Sequence, residues 1–277
     1  MARGLVRFGY DGAGFAGWAR QPGLRTVEGV LRDGIPRTGV APSAEAAAIA
    51  VASRTDREVS ARGNALTVSS TLPASAVLRA LNGIAPEIFF TAIREVPAEF
   101  SARAATERWY RYFEPAEGHH LDRWTEAAAK IRGEVDLRSF GRDLPVDHPT
   151  LRTVQEVRVR RFGARWFFVD LRAPSFVWGM VRKVVAALRK VDDGSLSLSR
   201  LEGALQGEHR LTLPLAEPDG LVLWNVRYPV KWSQQWGGPN RSQSRYFAER
   251  VRRARIREAV ARNLLQRPNT VPTRRGG

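Results

Sequence analysis

The sequence predicts an α+β fold made of two similar halves, and three observations carry that expectation. Short segments such as 5–10 and 65–68 alternate apolar and polar residues at the period of a strand. Others, such as 75–85, place apolar residues at i, i+3, i+4 and i+7, the period of a helix. Along the chain the order is strand, helix, strands, helix, strands, helix, strand, without a clean sequence repeat.

Residues 5–10 make the first strand and run into Y-D-G-A-G-F-A-G-W. Gly12, Gly14 and Gly17 match the glycine pattern of dinucleotide-binding loops. That pattern needs a helix to begin within the loop and present its N-terminus to a pyrophosphate. Pro22 and Gly23 break a helix there instead. Asp33, where a ribose-binding acid would fall, stands at a helix end before Pro36. No nucleotide cofactor is expected.

Thr26 caps a helix through Arg32, with Glu28 in its first turn. The apolar run 46–52 leads, as a strand, into the polar stretch S-R-T-D-R-E, and Ala65, Leu66 and Val68 lead out as another. Val77, Leu78, Leu81 and Ile84 mark a helix over 75–85 that Pro86 ends. Residues 88–96 and 106–114 are strands, the second carrying Tyr110, Tyr112 and Phe113 among Arg108 and Arg111. A helix over 121–132 and a polar loop over 142–150 come after them, and then a hairpin of 154–159 and 165–172 turning at Gly163. Ser175 is expected to cap the clearest helix, whose apolar face runs from Phe176 and Val177 through Met180, Val184 and Leu188 to Val191. A short helix over 198–205 and a closing strand over 221–228 come next.

From Arg241 the chain is dense in arginine, helical to about Leu265 and loose through Pro268 and Pro272. Phe247, Val251, Ile256, Val260 and Leu264 keep no single face, so this segment reads equally as an RNA contact or as a solvated helix. The expected organisation is an N-terminal half over 1–107, a C-terminal half over 108–232 and a basic tail over 233–277.

The formal charge is +16, and of 44 basic residues only Lys130, Lys183, Lys190 and Lys231 are lysines, which leaves 40 arginines. Arginine binds phosphate through a planar fork and stacks on bases, so the excess suits an RNA partner. A GC-rich genome favours arginine codons as well. Without cysteine there is no disulfide, no thiolate nucleophile and no cysteine-based metal site. Four histidines (His119, His120, His148 and His209) argue against a histidine metal cluster, so no metal is expected. No run approaches the ~20 apolar residues of a membrane span. The N-terminus lacks the apolar core of a signal peptide. A cytoplasmic protein without membrane contact is expected.

The stretch 53–61, S-R-T-D-R-E-V-S-A, places Asp56 on a polar loop between Arg54 and Arg57. Neighbouring positive charge favours the ionised carboxylate, which can act as a nucleophile. Alternatively Thr55 and Asp56 merely form a turn, bonding to their own backbone.

The wider sequence adds T-V-E-G-V-L (26–31), L-N-G-I-A-P-E-I (81–88), F-S-A-R-A-A-T-E-R-W-Y-R-Y (100–112), S-F-V-W-G-M-V-R-K-V-V (175–185) and P-D-G-L-V-L-W-N-V-R-Y-P (218–229). With Y-D-G-A-G-F-A-G-W-A-R-Q (10–21) and the Asp56 stretch, this ordered set resembles the tRNA pseudouridine synthase A family over about residues 5–230. The resemblance implies two ferredoxin-like halves around an extended, mostly antiparallel sheet, with the active site in a central basic cleft. It implies a homodimer that holds tRNA by its anticodon arm. The reaction it implies needs neither cofactor nor metal and turns uridines at positions 38 to 40 of tRNA into pseudouridine.

Residue by residue, Asp56 of R-T-D resembles the catalytic aspartate and Arg54 the arginine that helps displace the target nucleotide. Tyr110, the first tyrosine of R-W-Y-R-Y, resembles the one stacked under the flipped uracil. Arg182 of M-V-R resembles the partner of the catalytic carboxylate, and Leu221 the apolar wall of the uracil pocket. Breaking the N–C1′ bond, rotating uracil and rejoining it through C5 requires the base out of its stack and held on an aromatic face.

Three departures stand out. Glu58 replaces a glycine common in the family, Ser60 replaces a usual histidine, and 115–150 matches poorly. If Glu58 spoils the site, the chain is a catalytically silent RNA-binding protein on the same scaffold.

Overall fold

Strand β1 (Ala2–Tyr10) is followed by helices α1 (Val27–Gly34) and α2 (Ala44–Ala47), strands β2 (Ala50–Val51) and β3 (Ser60–Ser70), helix α3 (Ala74–Leu81) and strand β4 (Ile88–Val96). The chain then continues with β5 (Glu107–Pro115), α4 (Leu121–Lys130), β6 (Gly133–Asp136), β7 (Leu151–Val154), β8 (Glu156–Phe162) and β9 (Trp166–Ala173). Helices α5 (Met180–Asp192) and α6 (Leu198–Leu205), strands β10 (Leu221–Arg227) and β11 (Gln234–Gln235), and helix α7 (Arg241–Leu264) complete it. This computed structural model describes residues 1–145, 149–235 and 238–264. His148, Leu265, Pro268 and Pro272 lie outside the described residues.

The main sheet runs β11-β4-β1-β3-β10-β5-β9-β8, with β2 pairing β3 beside this path. The fold is therefore mixed α and β around one large, mostly antiparallel sheet. Within it the order β4-β1-β3-β2 is matched by β10-β5-β9-β8, the last strand of each set lying beside the first. The two sets meet where β3 and β10 pair in parallel, Ser60 with Val222 and Ala61 with Leu223. Parallel strands begin at the same end, so the loop entering β3 and the loop entering β10 come out side by side. That junction places the site.

Strand β5 shows how residues divide between the faces. Tyr110, Tyr112 and Glu114 are buried, while Trp109, Arg111 and Phe113 are half-buried on the opposite face, the period of two that a strand imposes. On that second face Arg111 donates to Asp170 through Nε at 2.7 Å and lies 3.6 Å over the Phe168 ring. Beneath the first face, Phe8, Trp18, Phe90 and Leu31 pack the first strand set, and Trp124, Phe167 and Leu188 pack the second.

Several expected elements differ in extent. The run 46–52 is a strand only over Ala50–Val51; alanines favour the short helix α2, capped by Ser43, which accepts from the Ala46 N–H at 3.1 Å. Helix α3 ends at Leu81, because Asn82 turns its side chain onto the carbonyls of Leu78 and Phe90. Ser175 does not cap α5. Gly179 does, with φ of 77° in the left-handed region, and residues 174–179 form a loop instead. The small sheet of β6 and β7 was not apparent from periodicity.

Among the described residues no helix is long and apolar enough to cross a membrane. Residues from Gly238 onward form a compact unit of their own, of which α7 is the described helix.

Candidate active site

The R-T-D loop is held from below by Thr55. Its hydroxyl lies 2.7 Å from the Tyr10 hydroxyl, and its carbonyl accepts from the Trp18 N–H at 3.0 Å. With Thr55 buried, the residues on either side, Arg54 and Asp56, point outward. Neither Thr55 nor Asp56 spends its side chain on its own backbone, so the simple-turn reading fails.

The glycine stretch packs against this loop. A Cβ on Gly17, whose φ is 107°, would lie 3.0 Å from the Thr55 carbonyl oxygen, and one on Gly12 would lie 2.4 Å from the Val59 carbonyl carbon. Gly12–Gly14 is a single 3-10 turn, and no helix begins until Val27. These glycines allow close approach to the Asp56 loop rather than the cradling of a pyrophosphate.

Asp56 lies at the wall of a cleft of about 1210 Å³. Its carboxylate is gripped at both oxygens: Trp178 Nε1 donates to Oδ1 at 2.7 Å, and Arg182 Nη1 lies 3.5 Å from Oδ2. Arg182 is itself fixed, its Nε donating to the Ala216 carbonyl at 2.5 Å. Its side chain is only 13% exposed, so it is not a solvated surface arginine. Trp178 is the residue that sequence reasoning missed. It sits half-exposed on the loop before Gly179, with the Arg142 guanidinium 4.4 Å from its ring centre. The available signal was its place four residues before Arg182 in S-F-V-W-G-M-V-R.

Tyr110 and Leu221 line the same cleft. The Tyr110 ring meets Phe176 edge to face at 4.9 Å, and its hydroxyl lies 2.8 Å from Ser53 Oγ. Burial pushes the Tyr110 phenol up; the Ser53 hydrogen bond and Arg108 oppose this, and the Asp56 charge adds to it. Arg108 ties the walls together, donating to the carbonyls of Ala52 (3.3 Å) and Pro174 (2.5 Å). Arg54 is exposed in the cleft with no side-chain partner among the described residues. The structure thus brings Asp56, Arg182, Arg54, Tyr110 and Leu221 to one cleft.

The lining includes Arg54, Arg57, Arg103, Arg108, Arg142 and Arg182, and among its described residues Asp56 is the sole carboxylate. Glu58 is not part of it. Its backbone is left-handed at φ of 65°, and its exposed side chain makes no ion pair with Arg57 or Arg62 among the described residues. Such a φ favours glycine, which accounts for the residue usual in the resembled family. Ser60, in place of histidine, accepts from the Gly12 N–H at 3.0 Å and so ties the glycine turn to β3. Among the described residues no group of histidines and carboxylates could hold a metal ion.

Known proteins share much of this chain. A family model described as tRNA pseudouridine synthase matches residues 127–229. The chain is similar to tRNA pseudouridine synthase A of Thermococcus kodakarensis, at 36% identity over 259 residues, covering 92% of this chain and 96% of that one. The protein of the same name from Thermococcus onnurineus is 32% identical, covering 94% of this chain and 97% of its own. That of Pyrococcus furiosus is 33% identical, covering 82% and 84%.

Proposed function

The chain belongs to the tRNA pseudouridine synthase A family of isomerases, and on that premise we propose that Asp56 is its reacting carboxylate and the tRNA anticodon stem-loop its target. The supporting observation is Asp56 itself, the lone carboxylate among the described residues of an arginine-lined cleft, with both oxygens held by Trp178 and Arg182. On this reading the halves are 1–107 and 108–232, each ferredoxin-like, with 233–277 as a basic tail, and the repeated strand order supports it; the arginine-lined cleft is the one that takes RNA.

The reaction moves one glycosidic bond. The N1–C1′ bond of uridine breaks, uracil turns, C5 bonds to C1′, and C5 gives up its hydrogen as a proton while N1 ends protonated. Asp56 serves this by attacking the sugar or the base or by taking a proton, and each route needs it ionised and aimed. Arg182 and Trp178 do the aiming, acting as fixed donors in a partly water-excluded site. Tyr110 offers an aromatic face against which the extruded base stays while its bond is broken, and Leu221 closes the apolar side. Arg54, exposed and without a side-chain partner among the described residues, is placed to meet the nucleotide as it leaves its stack.

The reading includes a homodimer and a cytoplasmic location. Neither a cofactor nor a metal enters any step. Position is tested by mapping pseudouridine in tRNA transcripts after incubation with the full chain. Modification confined to the anticodon arm is expected; modification confined to another arm would overturn the target. Sedimentation analysis tests the dimer.

A further inference from the structure

Helix α7 is a described element that the reaction leaves unused. Its start is firmly made: Asn240 Oδ1 accepts from the Gln243 N–H at 2.9 Å and Gln243 Oε1 accepts from the Asn240 N–H at 3.0 Å, a reciprocal cap. Tyr246, Phe247, Glu249 and Arg250 are half-buried, and beyond them the helix has no face to bury. Every residue from Val251 to Leu264 is exposed, and the apolar ones are divided between opposite sides. A helix of 24 residues without an apolar face is sustained by pairs along its surface or by a partner.

Its charges are unevenly placed. The helix carries eight arginines and two glutamates. At 3.6 residues per turn, Arg241, Arg245, Arg252, Arg255 and Arg262 fall within an arc of about 100°, and the remaining residues of that arc are Ser244, Ala248, Ala259 and Asn263. Both glutamates lie outside it. Glu249 pairs with Arg252 and Arg253 at 2.8 and 2.7 Å, and Glu258 with Arg262 at 2.9 Å. Arg241, Arg245 and Arg255 have no side-chain partner among the described residues. The face is a row of arginines roughly 30 Å long with no carboxylate within it.

We propose that α7 is an RNA-docking arm whose Arg241-to-Arg262 face grips the phosphate backbone of the tRNA. This rests on the tRNA reading above. Planar guanidinium groups match phosphate oxygens in pairs, and the small residues between them keep the face open to a backbone. A membrane-surface helix would need an apolar side opposite its cations, which α7 lacks.

The test uses the full chain with Arg241, Arg245 and Arg255 each changed to Gln, a residue of similar helix propensity. The control changes Arg250, Arg253 and Arg257, which lie on the other side, to Gln. Binding of an unmodified tRNA transcript is followed against potassium chloride concentration, and turnover is measured separately. For the first variant the salt slope is expected to become shallower by about 3, with Kd and KM raised roughly tenfold or more and kcat unchanged. The control is expected to change far less. An unchanged slope in the first variant, or an equal loss in both, overturns the arm. Binding is read without turnover, so a wild type that binds tRNA but modifies none would sink the catalytic reading and leave this one standing.

Discussion

The indole Nε1 of Trp178 donates to Oδ1 of Asp56 at 2.7 Å, joining a loop of the second strand set to the R-T-D loop of the first. With Arg182 on the other oxygen, the carboxylate has one neutral and one charged donor. Trp178→Phe keeps the ring beside Arg142 and removes the donor. Because a hydrogen bond to a charged group contributes about 1.5–3 kcal/mol, kcat on tRNA is expected to fall by roughly one to two orders of magnitude. Thermal stability should hardly change, since the side chain is half-exposed. An unchanged kcat would remove Trp178 from the machinery.

Glu58 occupies a left-handed backbone at φ of 65° and does not line the cleft. Glu58→Gly relieves that strain and is expected to stabilise the protein by about 0.5–1 kcal/mol after the added chain entropy of glycine. Urea unfolding measures it, and tRNA turnover should match wild type. A large rise or fall in turnover would mean that Glu58 acts on Asp56 after all.

Gly17 bears on whether the glycine stretch supports the Asp56 loop. A methyl group there meets the Thr55 carbonyl at 3.0 Å in a backbone that alanine rarely adopts. Gly17→Ala is expected to lose about 1–3 kcal/mol of stability and, by shifting Thr55 and Asp56, a larger share of kcat. Equal activity at equal stability would contradict the packing role.

Asp192 ties the end of α5 to the segment before α4, away from the site. Its carboxylate is 4% exposed, lies 2.6 Å from His119 Nδ1 and accepts from the His120 N–H at 2.9 Å. Burial alone raises its pKa, but the bonds from His119 and His120 outweigh burial and hold it below the ordinary carboxylate range. With the folded value below the unfolded one of about 3.9, its stabilisation is complete above that pH and is lost as pH falls through the folded value. Asp192→Asn is expected to lose about 2 kcal/mol at neutral pH, and the gap to wild type should narrow below pH ~4. Denaturant unfolding at several pH values measures this, and a gap constant down to pH ~3 would contradict it.

Much of this was legible in the chain because local pattern and final environment agree. Strand β4 and helix α6 begin and end as their apolar periods say, and Thr26 caps α1 through the Gly29 N–H at 3.1 Å. The misreadings have physical causes. Phe176 and Val177 continue the apolar period of α5, but one left-handed glycine at 179 breaks the helix before them. Strands β6 and β7 each bury a single residue, Val135 and Val154, too little to mark a period. Asp56 could be singled out by its neighbours in sequence. Its grip by Trp178 could not, because an aromatic residue beside a glycine carries no sign of what it will face 122 positions away.

The most direct test is tritium release from tRNA carrying 5-³H-uridine, comparing wild type with Asp56→Asn and Asp56→Ala. C5 loses its hydrogen only when it becomes the glycosidic carbon. Asparagine keeps an oxygen for Trp178 and the loop geometry while removing the charge. Release by wild type and none by either variant, with tRNA binding retained in all three, is the predicted result. Release by Asp56→Asn at the wild-type rate would contradict the account.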